Sequence, residues 1–127
     1  MNTPNPVDTV KQLVNAVNQG RLEAAVTCYE VEATLVVQPG QVVTGTKALR
    51  EVFAGFIAMK TTITTETHKI IQTGDVALFS SKWNATGTAP DGTPVKMGGT
   101  SSDVLRRQAD GKWLIVIDNP FGAAILD

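Results

Sequence analysis

The sequence predicts an α+β fold, with helices first along the chain and long antiparallel strands after them. Up to about Met59, apolar residues recur mainly at helical spacing. From Thr61 onward, β-branched residues and alternating apolar positions replace that pattern, which favours strands. The turn signals Gly74-Asp75 and Pro90-Asp91-Gly92 divide this second part into separate strands. Helices and strands that are segregated along the chain typically pack with the helices on one face of a single sheet.

Two helices are predicted before the first strand. Asn5-Pro6, followed by Asp8, is typical of a helix start, because Asn caps a helix, Pro fits the first turn and a carboxylate is favoured there. Gly20 ends this helix, and a shorter amphipathic helix is predicted over about 21–29. The apolar face of the first helix consists of Val7, Val10, Leu13, Val14 and Val17.

Two short strands and a third helix come next. Residues 33–38 predict a short apolar strand, and Pro39-Gly40 predicts a turn from which 41–44 returns as a brief second strand. The third helix, capped by Thr44 or Thr46, has the strongest helical period in the chain. Its apolar face consists of Leu49, Val52, Phe53, Phe56 and Ile57.

Four long strands then form an antiparallel meander. Pro120 halts strand pairing, and the apolar residues after it form a tail that could fold over an open end of the core. The predicted strands are 61–73, 76–86, 94–108 and 111–119.

The register of the last hairpin decides which polar residues face the core. A three-residue loop with Gly111 in the left-handed conformation places Leu105 opposite Ile115. In the same register, Asp103 lies opposite Ile117. One face of the hairpin then holds Asp103, Leu105, Trp113, Ile115, Ile117 and Asn119. A four-residue loop would instead place Asp118 beside Asp103.

The composition indicates one globular domain covering residues 1–127. The chain is 43% hydrophobic, and a domain of this length buries roughly two-thirds of its unfolded surface. The formal net charge is -1, so we expect neither a nucleic acid nor a membrane as partner. The first residues do not resemble a signal peptide, and no apolar run approaches the ~20 residues of a membrane span. We therefore expect a cytoplasmic protein.

Few residues in the chain could support metal or nucleophile chemistry. Cys28 and His68 are the only cysteine and histidine, so a disulfide, a zinc site and a Cys/His nucleophile pair are not expected. No Gly-rich phosphate loop is present, because Gly98-Gly99 lies within a predicted strand and is typical of a bulge. We expect no metal and no cofactor.

The order of the elements resembles that of the nuclear transport factor 2-like superfamily. Three stretches resemble its SnoaL-like and ketosteroid-isomerase-like branch, namely 18–25 (NQGRLEAA), 45–50 (GTKALR) and 104–122, which contains VLRRQADGKW and IDNPFG. The resemblance implies a cone-shaped, cystatin-like fold, in which a curved antiparallel sheet wraps around the N-terminal helices. It also implies a mostly apolar pocket for a small-molecule ligand and a homodimer through the outer face of the sheet. The apolar residues Val104, Leu114 and Val116 on that face favour the same dimer.

The resemblance only partly extends to the catalytic residues of ketosteroid isomerase. That enzyme uses an aspartate base, with a tyrosine and a protonated aspartate as hydrogen-bond donors. Asp103 matches the donor aspartate, but the base position at the end of the first strand holds Val37-Gln38, and the tyrosine position falls near Leu13. We therefore do not expect steroid isomerase activity. The remaining expectation is an acid–base isomerase, lyase or hydrolase for a small apolar molecule, or alternatively a non-catalytic ligand-binding or dimerisation module.

Three residues are candidates for acid–base or polar contacts. Asp103, if it faces the pocket, would have a raised pKa and could donate or shuttle a proton; if it faces outward, it pairs with a nearby Arg or Lys. Asn119 could orient a ligand through its amide or cap the strand. His68 is a possible base or a solvent-facing side chain.

The remaining candidates would line the ligand pocket. Most are apolar or aromatic, and for Phe79 and Trp83 the alternative is an ordinary place in the core. The hydroxyl of Tyr29 could reach the cavity or face solvent. The predicted ligand-binding residues are Val14, Val17, Tyr29, Phe53, Phe79, Trp83, Leu105, Ile117 and Phe121.

Overall fold

The computed structural model describes residues 4–127, and in this part the chain forms three α-helices and one six-stranded sheet. The final turn is a 3-10 helix over Gly122–Leu126. The other elements are α1 (Pro6–Asn18), α2 (Leu22–Val26), β1 (Tyr29–Gln38), β2 (Gln41–Thr44), α3 (Thr46–Ala58), β3 (Thr62–Thr73), β4 (Val76–Thr88), β5 (Pro94–Arg107) and β6 (Trp113–Asp118).

The predicted α+β class is confirmed, and the sheet is mixed rather than fully antiparallel. The strand order is β2-β1-β6-β5-β4-β3. All neighbouring strands are antiparallel except β1 and β6, which run parallel. A parallel pair needs a long connection, and here β2, α3 and the meander provide it. The helices pack on one face of the sheet, called the inner face below, and the opposite face is called the outer face.

The first helix begins as the sequence predicts. The Asn5 side chain accepts a hydrogen bond of 3.1 Å from the backbone N–H of Asp8, and the Asp8 side chain accepts one of 3.3 Å from the backbone N–H of Asn5. This reciprocal pair is a capping box, and it satisfies two backbone donors that a helix start leaves free. Neither α1 nor α3, with 13 residues each, is long enough to cross a bilayer, and no other helix of the described chain is.

The second helix is shorter than predicted, and Tyr29 belongs to a strand. The prediction of a helix over 21–29 is wrong at its end, because α2 stops at Val26 and Tyr29 begins β1. The backbone N–H of Ile115 donates to the carbonyl of Cys28 at 2.9 Å. Pairing with β6 therefore overrides the local helical pattern. As a result, the Tyr29 ring is directed into the core, where only 5% of the residue is exposed.

The loop of the last hairpin is correctly predicted, but the register changes beyond it. Gly111 has φ +89°, and Leu105 pairs with Ile115. One step further, Val104 pairs with Ile117, which leaves Val116 as an extra residue in a β-bulge. Such an insertion moves the residues beyond it to opposite faces of the sheet.

The predicted position of Ile117 on the pocket face is wrong because of this bulge. Its side chain lies on the outer face and is 42% exposed, so it does not line a pocket with Asp103. Asp118 takes the inner face instead and lies beside Asp103. Asp118 therefore lies beside Asp103, as in the predicted alternative. A bulge in β6 produces this arrangement, whereas the prediction required a four-residue loop.

The outer face carries a row of apolar side chains across four strands. Ile71 pairs with Leu78, Leu78 with Val104, and Val104 with Ile117. Ile71 is 69% exposed and Leu78 is 41% exposed. Aligned apolar residues of this kind are typical of a protein–protein contact.

Candidate active site

A cavity of about 130 Å³ lies between the helices and the inner face of the sheet. Its wall is mostly apolar, and its polar side chains are concentrated where β1, β6, β5 and β4 meet. Apolar members of the wall include Val10, Leu35, Val37, Phe56 and Met97. The polar side chains at that junction are Tyr29, Ser81, Ser101, Asp103 and Asp118.

Most of the residues predicted to bind a ligand line this cavity, and some do not. Val17 and Leu105 are 2% and 0% exposed, and both belong to the hydrophobic core rather than to the cavity wall. Ile117, as described above, lies on the outer face. The predicted residues that do line the cavity are Val14, Tyr29, Phe53, Phe79, Trp83, Asp103 and Phe121.

Asn119 contacts the C-terminal segment instead of the cavity. Its side-chain amide donates to the carbonyl of Gly122 at 3.1 Å and accepts from the backbone N–H of Phe121 at 3.2 Å. Only its backbone N–H reaches the site, where it donates to Oδ1 of Asp103 at 2.8 Å. The Asn119 side chain therefore caps the end of the strand, which was the predicted alternative to orienting a ligand.

His68 lies outside the cavity wall, on the edge strand β3. Its exposed ring stacks on Phe79, with 5.4 Å between the ring centroids. In the sheet it lies directly opposite Ser81. It is therefore not placed to contact a ligand in the cavity.

The C-terminal segment closes one side of the cavity. The indole N–H of Trp83 donates to the carbonyl of Pro120 at 2.7 Å, and the Phe121 ring meets Trp83 edge-on at 6.4 Å. Gly122 then passes so close to Thr100 that a Cβ would lie 2.4 Å from the Thr100 carbonyl oxygen. Glycine is required here because only a backbone without a side chain can approach so closely.

Three ionisable side chains form the polar centre of the cavity. The hydroxyl of Tyr29 donates a hydrogen bond to Oδ2 of Asp118. Asp118 in turn shares a hydrogen bond with Asp103. The Tyr29–Asp118–Asp103 cluster thus joins the start of β1, the end of β6 and the middle of β5.

The burial of the two carboxyls changes their ionisation. Burial raises the pKa of Asp103 well above its ordinary value, and the nearby charge of Asp118 adds to that rise. Burial also raises the pKa of Asp118, but the hydrogen bonds from Tyr29 and Asp103 oppose the rise. Two adjacent carboxyls cannot easily both ionise, so the pair releases its protons at higher pH than separate carboxyls would, and the pKa of Asp103 is the more strongly raised of the two.

This arrangement offers an acid and a base side by side. Protonated Asp103 can donate a proton, while ionised Asp118 can accept one. The wall around the two carboxyls is mostly apolar, and electrostatic interactions are stronger in such surroundings than in water. Within the described residues, no group of three His, Cys, Asp or Glu side chains is placed to hold a metal ion.

Two serines extend the polar centre and were not predicted. Ser81 and Ser101 lie in the cavity wall, and their hydroxyl oxygens are 2.8 Å apart. The only sequence signal for these serines is the alternation of residues along a strand. It places Ser81 on the same face as Phe79, and Ser101 on the same face as Asp103.

Comparison with known proteins places the chain in a family. Residues 10–116 match the SnoaL-like domain family. The epoxide hydrolase/cyclase-like enzyme SalBIII, described for its role in pyran ring formation in the polyether salinomycin, is 26% identical over 93% of this chain and 91% of that chain, with a TM-score of 0.73. A candidate ketosteroid isomerase from Shewanella frigidimarina is also 26% identical, over 87% and 90%, with a TM-score of 0.74.

A third solved structure supports the fold alone. A nuclear transport factor 2-like superfamily protein from Salmonella enterica is 16% identical over 88% of this chain and 84% of that chain, with a TM-score of 0.78. No curated protein matches the chain in sequence. The match over residues 10–116 shows that the chain belongs to the SnoaL-like family, and its fold is that of the nuclear transport factor 2-like protein.

Proposed function

We propose that this protein is an acid–base enzyme that acts on a small, neutral, mostly apolar molecule bearing at least one oxygen. The observation that carries the proposal is the Tyr29–Asp118–Asp103 cluster in the wall of an otherwise apolar cavity. Buried carboxyls are costly, and a pair with separated pKa values is typical of an acid and a base in catalysis.

The roles of the two carboxyls follow from their surroundings. Asp103 holds the shared proton and donates it to an oxygen of the substrate, such as an epoxide, carbonyl or leaving hydroxyl oxygen. Asp118 accepts a proton from water, from a substrate hydroxyl or from a carbon next to a carbonyl. The hydrogen bond from Tyr29 orients the Asp118 carboxylate and opposes the rise in its pKa. The pair gains one proton and loses one, so it returns to its starting state after each turnover.

The cavity limits the substrate in size and charge. Its volume of about 130 Å³ is close to that of a cavity that holds one benzene ring, about 150 Å³. Within the described residues, no Lys, Arg or His lines it, so nothing there compensates an anionic ligand. A compact neutral molecule therefore suits the cavity better than a steroid or a carboxylic acid.

The names of two similar proteins agree with this reaction class. SalBIII is named as epoxide hydrolase/cyclase-like, and the Shewanella frigidimarina protein as a candidate isomerase. Both names are those of reaction classes that an acid and a base can catalyse. An isomerase, lyase or hydrolase reaction is therefore our proposal for this chain as well.

The test is turnover of a panel of neutral epoxides, hydroxy-epoxides, β-hydroxyketones and unsaturated ketones. Asp103→Asn and Asp118→Asn should each lower kcat about 10²-fold or more, with a smaller effect on KM. Asp127→Asn, at the exposed C-terminus, is the matched control and should keep wild-type activity. Absence of turnover across the panel, or unchanged kcat in both active-site variants, would contradict the proposal.

A non-catalytic ligand-binding module is the second candidate, and the position of Val37 favours it. Val37 lines the cavity near the end of β1, where ketosteroid isomerase would carry its base. A binding module would bind the same neutral ligands without converting them. Asp103→Asn would then keep most of the affinity, because an asparagine amide can replace the donor hydrogen of a protonated carboxyl.

A further inference from the structure

Ser81 and Ser101 form a buried pair of hydroxyls on the inner face of the sheet. They lie opposite each other on β4 and β5, and their hydroxyl oxygens are 2.8 Å apart. The backbone N–H of Ser81 also donates to the Ser101 hydroxyl oxygen at 3.1 Å. The two residues are 8% and 3% exposed, and both lie in the wall of the cavity. Neither serine has a role in the proton transfers proposed above.

One hydroxyl hydrogen of this pair has no acceptor in the protein. Each hydroxyl donates one hydrogen bond and accepts up to two. One of the two hydrogens lies between the two oxygens, whichever serine is the donor. Within residues 4–127, which the structure describes, neither hydroxyl donates to any other acceptor. Burial raises the pKa of Asp103 and Ser101 opposes that rise, but no hydrogen bond joins these two side chains.

The unused hydrogen makes the pair a donor for a ligand. Whichever way the hydroxyls point, at least one oxygen lone pair of the pair is also unused, because only the backbone N–H of Ser81 and one hydroxyl are bound to it. A buried donor without an acceptor is unfavourable, and most such groups in proteins have a partner. A ligand oxygen in the cavity supplies this partner.

The other polar hydrogens in this part of the cavity are occupied or too distant. The indole N–H of Trp83, two residues from Ser81 on β4, donates to a backbone carbonyl at 2.7 Å. The hydroxyl of Thr61 has no partner among the described residues, but it lies beside Gly87, six residues beyond Ser81 on β4. At about 3.4 Å per residue, a compact ligand cannot contact both Thr61 and Asp103.

The spacing of the serine pair and Asp103 defines the ligand. Ser101 lies two residues before Asp103 on β5, so both face the cavity with their Cβ atoms roughly 7 Å apart. Oxygen atoms on opposite carbons of a six-membered ring are separated by a comparable distance, whereas oxygens on adjacent carbons are much closer. Phe79 and Trp83 flank Ser81 on the same face of β4 and provide aromatic surfaces for the ring. The cavity volume of about 130 Å³ also suits a single ring.

We propose that the Ser81–Ser101 pair is a second ligand subsite, which hydrogen-bonds a hydroxyl or carbonyl oxygen across the ring from the oxygen held by Asp103. The unused hydroxyl hydrogen donates to this oxygen, and an unused lone pair accepts from a ligand hydroxyl. The subsite selects compact rings with two opposite oxygen atoms. Its use in orienting a substrate rests on the proposed acid–base function, since it fixes which oxygen of the ring reaches Asp103.

The binding of three saturated alcohols tests the subsite without turnover. The probes are trans-cyclohexane-1,4-diol (the opposite diol), trans-cyclohexane-1,2-diol (the adjacent diol) and cyclohexanol, and NMR chemical-shift titration gives each Kd. The opposite diol should bind the wild type about fivefold or more tightly than cyclohexanol, because its second hydroxyl meets the unused donor. The adjacent diol should gain nothing, because its second hydroxyl does not reach the serines. Equal affinity of the two diols, or no binding of the opposite diol, would overturn the subsite.

The Ser81→Ala/Ser101→Ala double variant removes both hydroxyls. In this variant the opposite diol should bind no more tightly than cyclohexanol. The affinity for cyclohexanol itself should stay close to that of wild type, which shows that the cavity is intact. Ser80→Ala/Ser102→Ala is the matched control and should keep the wild-type preference, because these two serines pair on the outer face of the same strands. A preference for the opposite diol that survives without Ser81 and Ser101 would also overturn the subsite.

These outcomes are independent of catalysis. A protein that prefers the opposite diol through the two serines, but converts none of the substrates tested, has the subsite without the proposed enzyme function. An active protein that binds both diols equally retains only the enzyme function.

Discussion

The hydroxyl of Tyr29 donates a hydrogen bond to Oδ2 of Asp118, although the two residues are 89 positions apart in the chain. They meet because β1 and β6 are parallel neighbours, with Tyr29 paired to Ile115 at the start of β1. The bulge at Val116 then turns Asp118 towards the inner face, where it also meets Asp103. This contact joins three of the strands that form the polar side of the cavity, and its effect on ionisation can be measured.

Asp103→Asn should make the protein more stable at neutral pH than the wild type. The raised pKa of Asp103 means that the folded protein keeps a proton that the unfolded chain releases near pH ~4. The stability from this proton is fully present below the ordinary pKa and is lost as the pH rises through the folded-state pKa. Each unit of the rise in pKa costs about 1.4 kcal/mol at high pH. Asparagine has no such proton to lose, so the variant avoids this cost.

Denaturant unfolding of both proteins at about pH 4 and about pH 7.5 checks this expectation. The difference in unfolding free energy between variant and wild type should grow towards neutral pH. Asp127→Asn, which removes an exposed carboxyl, provides the control and should follow the wild type at both pH values. Parallel pH profiles for Asp103→Asn and wild type would show that Asp103 has an ordinary pKa.

Tyr29→Phe should raise the pKa of Asp118 and destabilise the fold. The hydrogen bond from Tyr29 lowers the pKa of this carboxyl, so its loss leaves burial as the main influence. Loss of a buried hydrogen bond to a charged group costs about 1.5–3 kcal/mol. Carbon-13 NMR titration of the aspartate carboxyls gives the pKa, and denaturant unfolding gives the stability.

Phe53→Leu is the matched control for that substitution. The Phe53 ring packs against the Tyr29 ring, with 5.5 Å between the ring centroids, and Phe53 has no polar side-chain atom to bond the Tyr29 hydroxyl. This variant should lose stability by reduced packing and leave the pKa of Asp118 close to that of wild type. Equal pKa changes in both variants would mean that packing, rather than the hydroxyl, controls Asp118.

Gly122→Ala should release the C-terminal segment from the sheet. Gly122 has φ +52°, and an added Cβ would lie 2.4 Å from the Thr100 carbonyl oxygen. Gly74 has a similar φ of +54° but nothing within 4 Å of an added Cβ. Gly74→Ala therefore costs only the left-handed backbone strain, about 1–2 kcal/mol, whereas Gly122→Ala also meets a clash.

Hydrogen–deuterium exchange over 119–127 distinguishes the two glycine variants. Exchange in this segment should be faster in Gly122→Ala, because the Phe121 ring leaves Trp83, and unchanged in Gly74→Ala. If both variants exchanged like wild type there, the close approach of Gly122 to Thr100 would not hold the segment in place.

Leu78→Glu should dissociate the homodimer that we propose through the outer face. Leu78 lies within the apolar row of Ile71, Val104 and Ile117, and a charge there would be buried in a sheet-to-sheet contact. Analytical ultracentrifugation at micromolar concentration should show a dimer for wild type and a monomer for the variant. Leu126→Glu, at a residue that is 84% exposed near the C-terminus, should remain dimeric. A monomeric wild type would contradict the proposed dimer.

Local patterns predicted the elements because each rests on interactions between neighbours in the chain. The capping residues at Asn5 and Asp8 and the helical period of α3 depend on contacts only three or four residues apart. The loop at Gly111 is equally local, and it correctly predicted the pairing of Leu105 with Ile115. The boundary between α2 and β1 was wrong because a distant strand decides it.

The sequence by itself determined the α+β order and the family resemblance, and it predicted Asp103 as a candidate site residue. Only the tertiary structure decided which partners Asp103 has. The parallel contact of β1 with β6 brings Tyr29 to the site, and the single extra residue at Val116 exchanges Ile117 for Asp118 on the inner face. Neither can be read from local patterns, because strand alternation has a period of two and a one-residue bulge reverses every face beyond it.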